Sequence, residues 1–172
     1  MKNRRIIDSA QKQFETYKRL GEKTFDQVTD EQLFKKIGEE SNSIAIIVQH
    51  LSGNMRSRWT DFLTTDGEKE WRNRDGEFEI ELTDRKALLE RWASGWDCFF
   101  QALHSISDDD LDKIIRIRNQ ELTVLDAIHR QLAHYSYHVG QIVFIGTVLC
   151  SNQWVSLCIP KGQSNEYNQA KS

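Results

Sequence analysis

Proline is almost missing from this chain: Pro160 is the only one in 172 residues. The ring that removes a backbone donor and breaks helices is therefore absent before residue 160, and long uninterrupted helices are permitted throughout. Cysteine is scarce too. Cys98, Cys150 and Cys158 are odd in number and lack CxxC spacing, which excludes a disulfide framework and a cysteine zinc site; they read as reduced thiols, mostly buried filler. Charge of one sign is lacking. The formal net charge is -3 with acids and bases mixed, and Lys2, Arg4 and Arg5 make only a short basic start, so there is no stripe for a nucleic-acid backbone and no polybasic arm for lipid. No apolar run reaches the roughly 20 residues of a membrane span, and no secretory signal stands at the start. The expectation is a cytoplasmic protein with no membrane and no nucleic-acid partner. A Gly-rich phosphate loop, a GxSxG elbow and internal repeats are also missing.

What is present is helical periodicity, on a length that suits one domain with a substantial core. The first helix is expected from Ile6 to Leu20, with Ile6, Ala10, Phe14 and Tyr17 on one face and Gly21 as the stop. A second starts near Ser41–Ser43 and carries Ile44, Val48, Leu51, Met55, Trp59 and Phe62, with His50 flanking the stripe. The charged segment 64–83 holds two Asp-Gly turn signals and reads as a long loop, with room for short extended pieces. A third helix follows the Thr83–Asp84 cap, buries Leu89, Trp92, Trp96, Phe99 and Leu103, and ends near His104. Between Ser107 and Thr123 the pattern suggests a small hairpin or irregular crossover.

The fourth helix, Val124 to Cys150, is the most apolar, with Ile128, Leu132, Tyr135, Val139, Ile142, Gly146 and Leu149 spaced by four and three. The fold class is all-α, most simply a four-helix bundle over residues 1–150. Residues 151–172 form an extension in which Trp154, Val155, Leu157 and Ile159 pack on the same domain and the last ten residues fray.

Histidine carries the chemistry. In HRQLAHYSYHVGQIVFIG, His134 and His138 stand four residues apart, about 40° apart on the helix and one turn up, so two imidazoles can share one ion. An isolated HxxxH is a weak motif, since each ring can simply hydrogen-bond a neighbour. His50, on another apolar helix, adds a third donor. Three neutral imidazoles with an open fourth position suit a metal that activates water or a thiol rather than a closed structural site. His104 ends a helix, and His129 falls off the row of His134 and His138. Asn54, Arg58 and Gln141 lie within reach of the same cavity by helical spacing, to orient a ligand or bind an anionic substrate. Spacing serves equally well a solvated Arg58 and a packing Gln141. No carboxylate shares the histidine row, so no catalytic base is assigned.

The stretch QHLSGNMRSRWTDFLTTDGEKEWRNRDGEFE, with His50, followed by HYSYHVGQIVFIG, with His134 and His138, resembles the DinB-like (YfiT-related) superfamily of bacterial four-helix-bundle proteins. The likeness runs from Ile6 to Cys150, and the loop DGEKEWRNRDGEFE resembles a subgroup without an assigned activity. The resemblance implies a divalent metal, zinc or nickel, on the three histidines, and a homodimer. It also implies a transferase using a low-molecular-weight thiol such as bacillithiol or mycothiol, with Arg72 and Arg74 joining Asn54 and Arg58 to grip carboxylates on that thiol. A metal-dependent hydrolase is compatible with the same ligands, and a stress-related scaffold homodimer with a structural, vestigial or empty metal site is the alternative from a different class.

Overall fold

The computed structural model describes residues 3–170. Its helices are α1 (Arg5–Phe25), α2 (Asp30–Phe34), α3 (Ile44–Trp59), α4 (Arg85–Ser105), α5 (Val124–Cys150) and α6 (Ser164–Gln169), and strands β1 (Ile114–Ile117) and β2 (Gln120–Thr123) form the hairpin before α5. The protein is mostly helical with one small sheet. The four long helices pack side by side: α1 lies against α5 and α4, and α3 lies against α4 and α5. Among the described residues, no helix is long and apolar enough to cross a membrane.

Local chemistry explains most boundaries. Ser43 accepts from the Ile46 amide at the start of α3, Asp84 does the same for Ala87 at α4, and Thr123 and Asp126 form a reciprocal capping box at α5; each satisfies an otherwise free amide. The acidic cluster Asp108–Asp110 is also structural. Asp108 reaches across to the first turn of α1 and accepts from the amides of Ile6 at 3.0 Å and Ile7 at 3.1 Å.

Several expectations require correction. Gly21 does not stop α1, which runs on to Phe25. It is a close approach instead: a Cβ there would stand 2.6 Å from the Trp92 ring, so only glycine lets α1 and α4 meet at that level. Leu89 is exposed and Leu88 fills the core, one residue out of the expected phase. The short helix α2 was not expected; it begins with its own capping box on Thr29 and Gln32. Phe62 is buried, but it lies beyond the end of α3. The 64–83 segment holds no strand, only a 3-10 turn at Gly76–Phe78. Cys150 is buried, Cys98 half-buried and Cys158 exposed. In the extension Trp154 packs against the core, while Val155 is 69% exposed. The last ten residues include α6, whose residues are all exposed; residues 171 and 172 lie outside the described chain.

The core is aromatic where the four long helices meet. Phe14, Trp96, Phe99 and Tyr135 are fully buried and meet edge to face, Phe14 against Phe99 at 4.4 Å and Trp96 against Tyr135 at 5.7 Å between ring centroids. Such contacts add to the stabilisation from burial alone.

The loop between α3 and α4 is pinned at both ends, which fixes what it carries. Near its start, the Asp66 carboxylate accepts from the amides of Arg118 and Asn119, the two positive-φ residues of the β1–β2 turn. Glu68 bridges Arg58 at 3.0 Å and Arg118 at 2.7 Å. Near its end, Gln49 donates to the carbonyls of Glu77 and Glu79 and accepts from the amides of Glu81 and Leu82. A single buried amide thus pairs four backbone groups of a loop that has no sheet partner of its own.

Candidate metal centre

α3 presents His50 and α5 presents His134 and His138. One ligand nitrogen from each lies within 4.8 Å of those of the other two, and among the described residues this is the one group of three or more such side chains. The Nε2 atoms of His50 and His134 are 3.3 Å apart. That separation is close to the edge of a tetrahedron drawn by zinc–nitrogen bonds of about 2.1 Å, roughly 3.4 Å. The donor set fits a divalent cation.

Burial sets the protonation of two of the rings. The His134 imidazole is pushed down to about 3, first by burial, then by the neighbouring rings of His138 and His50 and the charge of Arg72. His138 is pushed down to about 4 by burial and by His50, with the bond to Gln141 opposing. Both are neutral at physiological pH, the form that offers a lone pair to a metal.

The outer nitrogens are engaged by acceptors. His50 Nδ1 lies 2.9 Å from Glu77 Oε2, and His138 Nδ1 lies 2.8 Å from Gln141 Oε1. An acceptor at Nδ1 calls for the Nδ1–H tautomer and leaves the Nε2 lone pair to the cluster. Gln141 is held in turn by donating from Nε2 to the Tyr137 hydroxyl. Phe78 stacks on the His50 ring at 5.1 Å.

Glu77 is the residue that helix patterns missed. It comes from the loop, not from the histidine row, and its carboxylate takes two bonds from Arg72, Nε at 2.7 Å and Nη2 at 2.9 Å. Burial alone raises the Glu77 carboxyl, but the bonds from His50 and Arg72 overcome it and hold the group below the usual carboxylate range. One signal for this approach is legible in the sequence: Gly53, three residues past His50 in mid-helix. A Cβ at Gly53 would stand 2.1 Å from Glu77 Oε1, so the carboxylate needs the gap that glycine leaves.

The other expected site residues divide. Gln141 reaches His138 directly. Arg72 is buried beside the cluster but grips Glu77. Asn54 turns into the core, accepting at Oδ1 from the Tyr135 hydroxyl at 3.3 Å. Arg58 is neither a ligand-orienting group at the histidines nor a solvated charge: it is buried, donates to the Gly67 carbonyl and pairs with Glu68. Burial lowers its guanidinium from the ordinary value against the opposing pull of Glu68. Arg74 is half-exposed, with its guanidinium over the Phe78 ring at 5.3 Å. His104 and His129 are exposed and stand outside the cluster.

A family model described as "Protein of unknown function (DUF1572)" matches residues 2–163. The match spans nearly the whole chain, and the protein belongs to that family. No curated protein and no solved structure matches it.

Proposed function

We propose that His50, His134 and His138 ligate one divalent cation, zinc or nickel, in a DinB-like four-helix bundle that acts as a metal-dependent transferase using a low-molecular-weight thiol such as bacillithiol. The observation that carries the reading is the cluster itself: three imidazole donors gathered from two helices, two of the rings neutral and two with their outer nitrogens engaged. Three protein donors is the ligand count of catalytic zinc sites, four that of structural ones. A bound cation would supply Lewis acidity, favouring the thiolate of a small thiol, or hydroxide in the related hydrolase reading.

The chain's own residues have assignable work. Glu77 holds the proton on His50 Nδ1 and fixes that ring, and Arg72 keeps Glu77 ionised and oriented. Gln141 and Tyr137 do the same for His138. Phe78 and the surrounding burial limit water. Glu77 is fully engaged by Arg72 and His50, so it serves as a positioning residue and not as a general base.

The test is elemental analysis of protein purified without an affinity tag. About one zinc or nickel per chain is expected, and His138→Ala loses it while remaining folded; full metal retention in that variant overturns the ligand assignment. With metal bound, conjugation of a bacterial thiol to a model electrophile is expected to run above the buffer rate.

A second reading, a non-catalytic homodimeric scaffold, draws support from the exposed apolar row Tyr137, Phe144 and Val148 on one face of α5. A full metal site with no thiol reaction decides for it, and sedimentation of wild type against Phe144→Glu tests the dimer. The three free thiols favour a reducing, cytoplasmic setting.

A further inference from the structure

A cavity of about 230 Å³ has Glu77 but none of the three histidines in its wall, and is lined in part by Gln49, Trp71, Arg72 and two further arginines, Arg56 and Arg91. A second cavity of about 290 Å³ also has Arg56 and Arg91 in its wall, so the two side chains share two adjoining clefts. Among the described residues neither guanidinium makes a hydrogen bond or an ion pair; Arg56 only lies over the Trp71 ring, 5.6 Å from its centroid. Arg72 adds an independent sign. Its side chain is 2% exposed, and although Nε and Nη2 bind Glu77, Nη1 is buried with no hydrogen-bond partner.

Like charges sharing a cleft repel, and a buried guanidinium N–H without an acceptor forfeits hydration without return. An anion between Arg56 and Arg91 relieves the first cost, and its charge beside Arg72 offsets part of the second. The carboxylates already present do not: Glu77 is committed to His50 and Arg72, Glu81 in the first cavity is exposed and unpaired, and Glu90 in the second pairs with Lys86. Guanidinium groups match planar oxyanions by paired N–H donors, and the 57% exposed Trp71 offers a face for the body of the ligand. The cavity is smaller than the roughly 300–1,000 Å³ of whole small-molecule sites, so it suits one acidic group rather than a complete large ligand.

We infer that Arg56, Arg91 and Arg72 form an oxyanion subsite that takes a carboxylate or phosphate group of a small acidic substrate. The role of that substrate rests on the metal-centre reading above, since Glu77 is the wall between the subsite and His50. This differs from a grip by Arg58 or Arg74, which the loop salt bridges and the Phe78 ring occupy.

The test is calorimetric titration of the metal-free protein with succinate and, separately, with inorganic phosphate, in wild type and in the double variant Arg56→Gln/Arg91→Gln. Arg72 is left intact because its removal would unseat Glu77. Saturable binding of at least one anion is expected, weakened at least tenfold in the double variant. Tighter succinate assigns a carboxylate and tighter phosphate a phosphoryl group. No saturable binding of either anion overturns the subsite, as does unchanged affinity in the double variant. Arg56→Lys/Arg91→Lys keeps the charge without the fork; affinity intermediate between wild type and the glutamine variant is expected, and wild-type affinity in both variants overturns the assignment. A wild-type protein that takes up no metal refutes the histidine ligands, whereas the anion titration, run without metal, decides the subsite separately.

Discussion

His134 and Tyr135 are neighbours in sequence on α5, yet they belong to opposite kinds of interior. Tyr135 sits in an aromatic core among Phe14, Trp96 and Phe99, and its hydroxyl is satisfied on both sides, accepting from Trp59 Nε1 and donating to Asn54 Oδ1. His134 faces His50 and His138, where burial strips water from imidazoles and returns only partial hydrogen bonding. The aromatic region gains free energy from packing, although the indole Nε1 atoms of Trp96 and of Trp92 packed against it go without a partner. The histidine region costs free energy in the absence of a cation. A local sacrifice of this kind, supported by a loop that supplies Glu77, Arg72 and Phe78, is the pattern expected of a functional site.

The largest effect expected from breaking this contrast lies on the packed side. Trp96→Ala is expected to cost about 3–5 kcal/mol of folding stability, the usual range for deleting a large aromatic from a core, read from urea unfolding; a change below 1 kcal/mol, flagged against that range, would show that the aromatic cluster does not hold the fold. Substituting the partly exposed His138 by alanine should cost far less in the same assay.

Acid sharpens the comparison next. In the metal-free protein, His134 and His138 have folded values of about 3 and about 4, below the ordinary imidazole value of about 6.5. The unfolded chain therefore takes up protons first as pH falls. The contribution of these neutral rings is whole above about 6.5 and is lost progressively toward about 4 for His138 and about 3 for His134, so urea midpoints should decline across that window. A variant with both histidines replaced by glutamine should show a flatter profile, and an unchanged slope would remove the rings as its cause.

The smallest effect concerns the wall of the site. Glu77→Gln keeps the shape but weakens the acceptor on His50 Nδ1 and removes the charge facing Arg72. Metal affinity is expected to fall about 10–100-fold, the range for outer partners of ligating histidines, and the unfolding midpoint to fall as well, because the buried Arg72 guanidinium loses its ionic partner. Competition against a chelator measures it, and undiminished affinity would leave Glu77 a loop anchor only.

Much of the framework was legible from spacing. The bounds of α5 were read as Val124 to Cys150, and the hairpin before it was expected, because apolar periodicity and turn residues are local properties of the chain. The pair His134 and His138 was readable because i,i+4 spacing fixes two rings on one face, with His50 a candidate third donor on another helix. The phase of α4 was misread by one residue, Leu89 for Leu88, since both satisfy a helical stripe and only the neighbours α1 and α3 select between them. Gly21 reads as a helix stop from spacing alone; Gly21 and Gly53 are instead the places where a side chain from elsewhere, Trp92 or Glu77, comes too close for a Cβ.

By itself, then, the sequence determined the four long helices, the hairpin and the pair of imidazoles on α5, because those follow from periodicity within a few turns of chain. Tertiary structure alone decided that His50 meets them, that Glu77 and Arg72 stand behind it, and that Asn54 and Arg58 turn elsewhere. The reason is physical: a loop with no periodicity is placed by the groups that satisfy its backbone and charges, here Arg58 close by and Gln49, Arg118 and Asn119 far away along the chain.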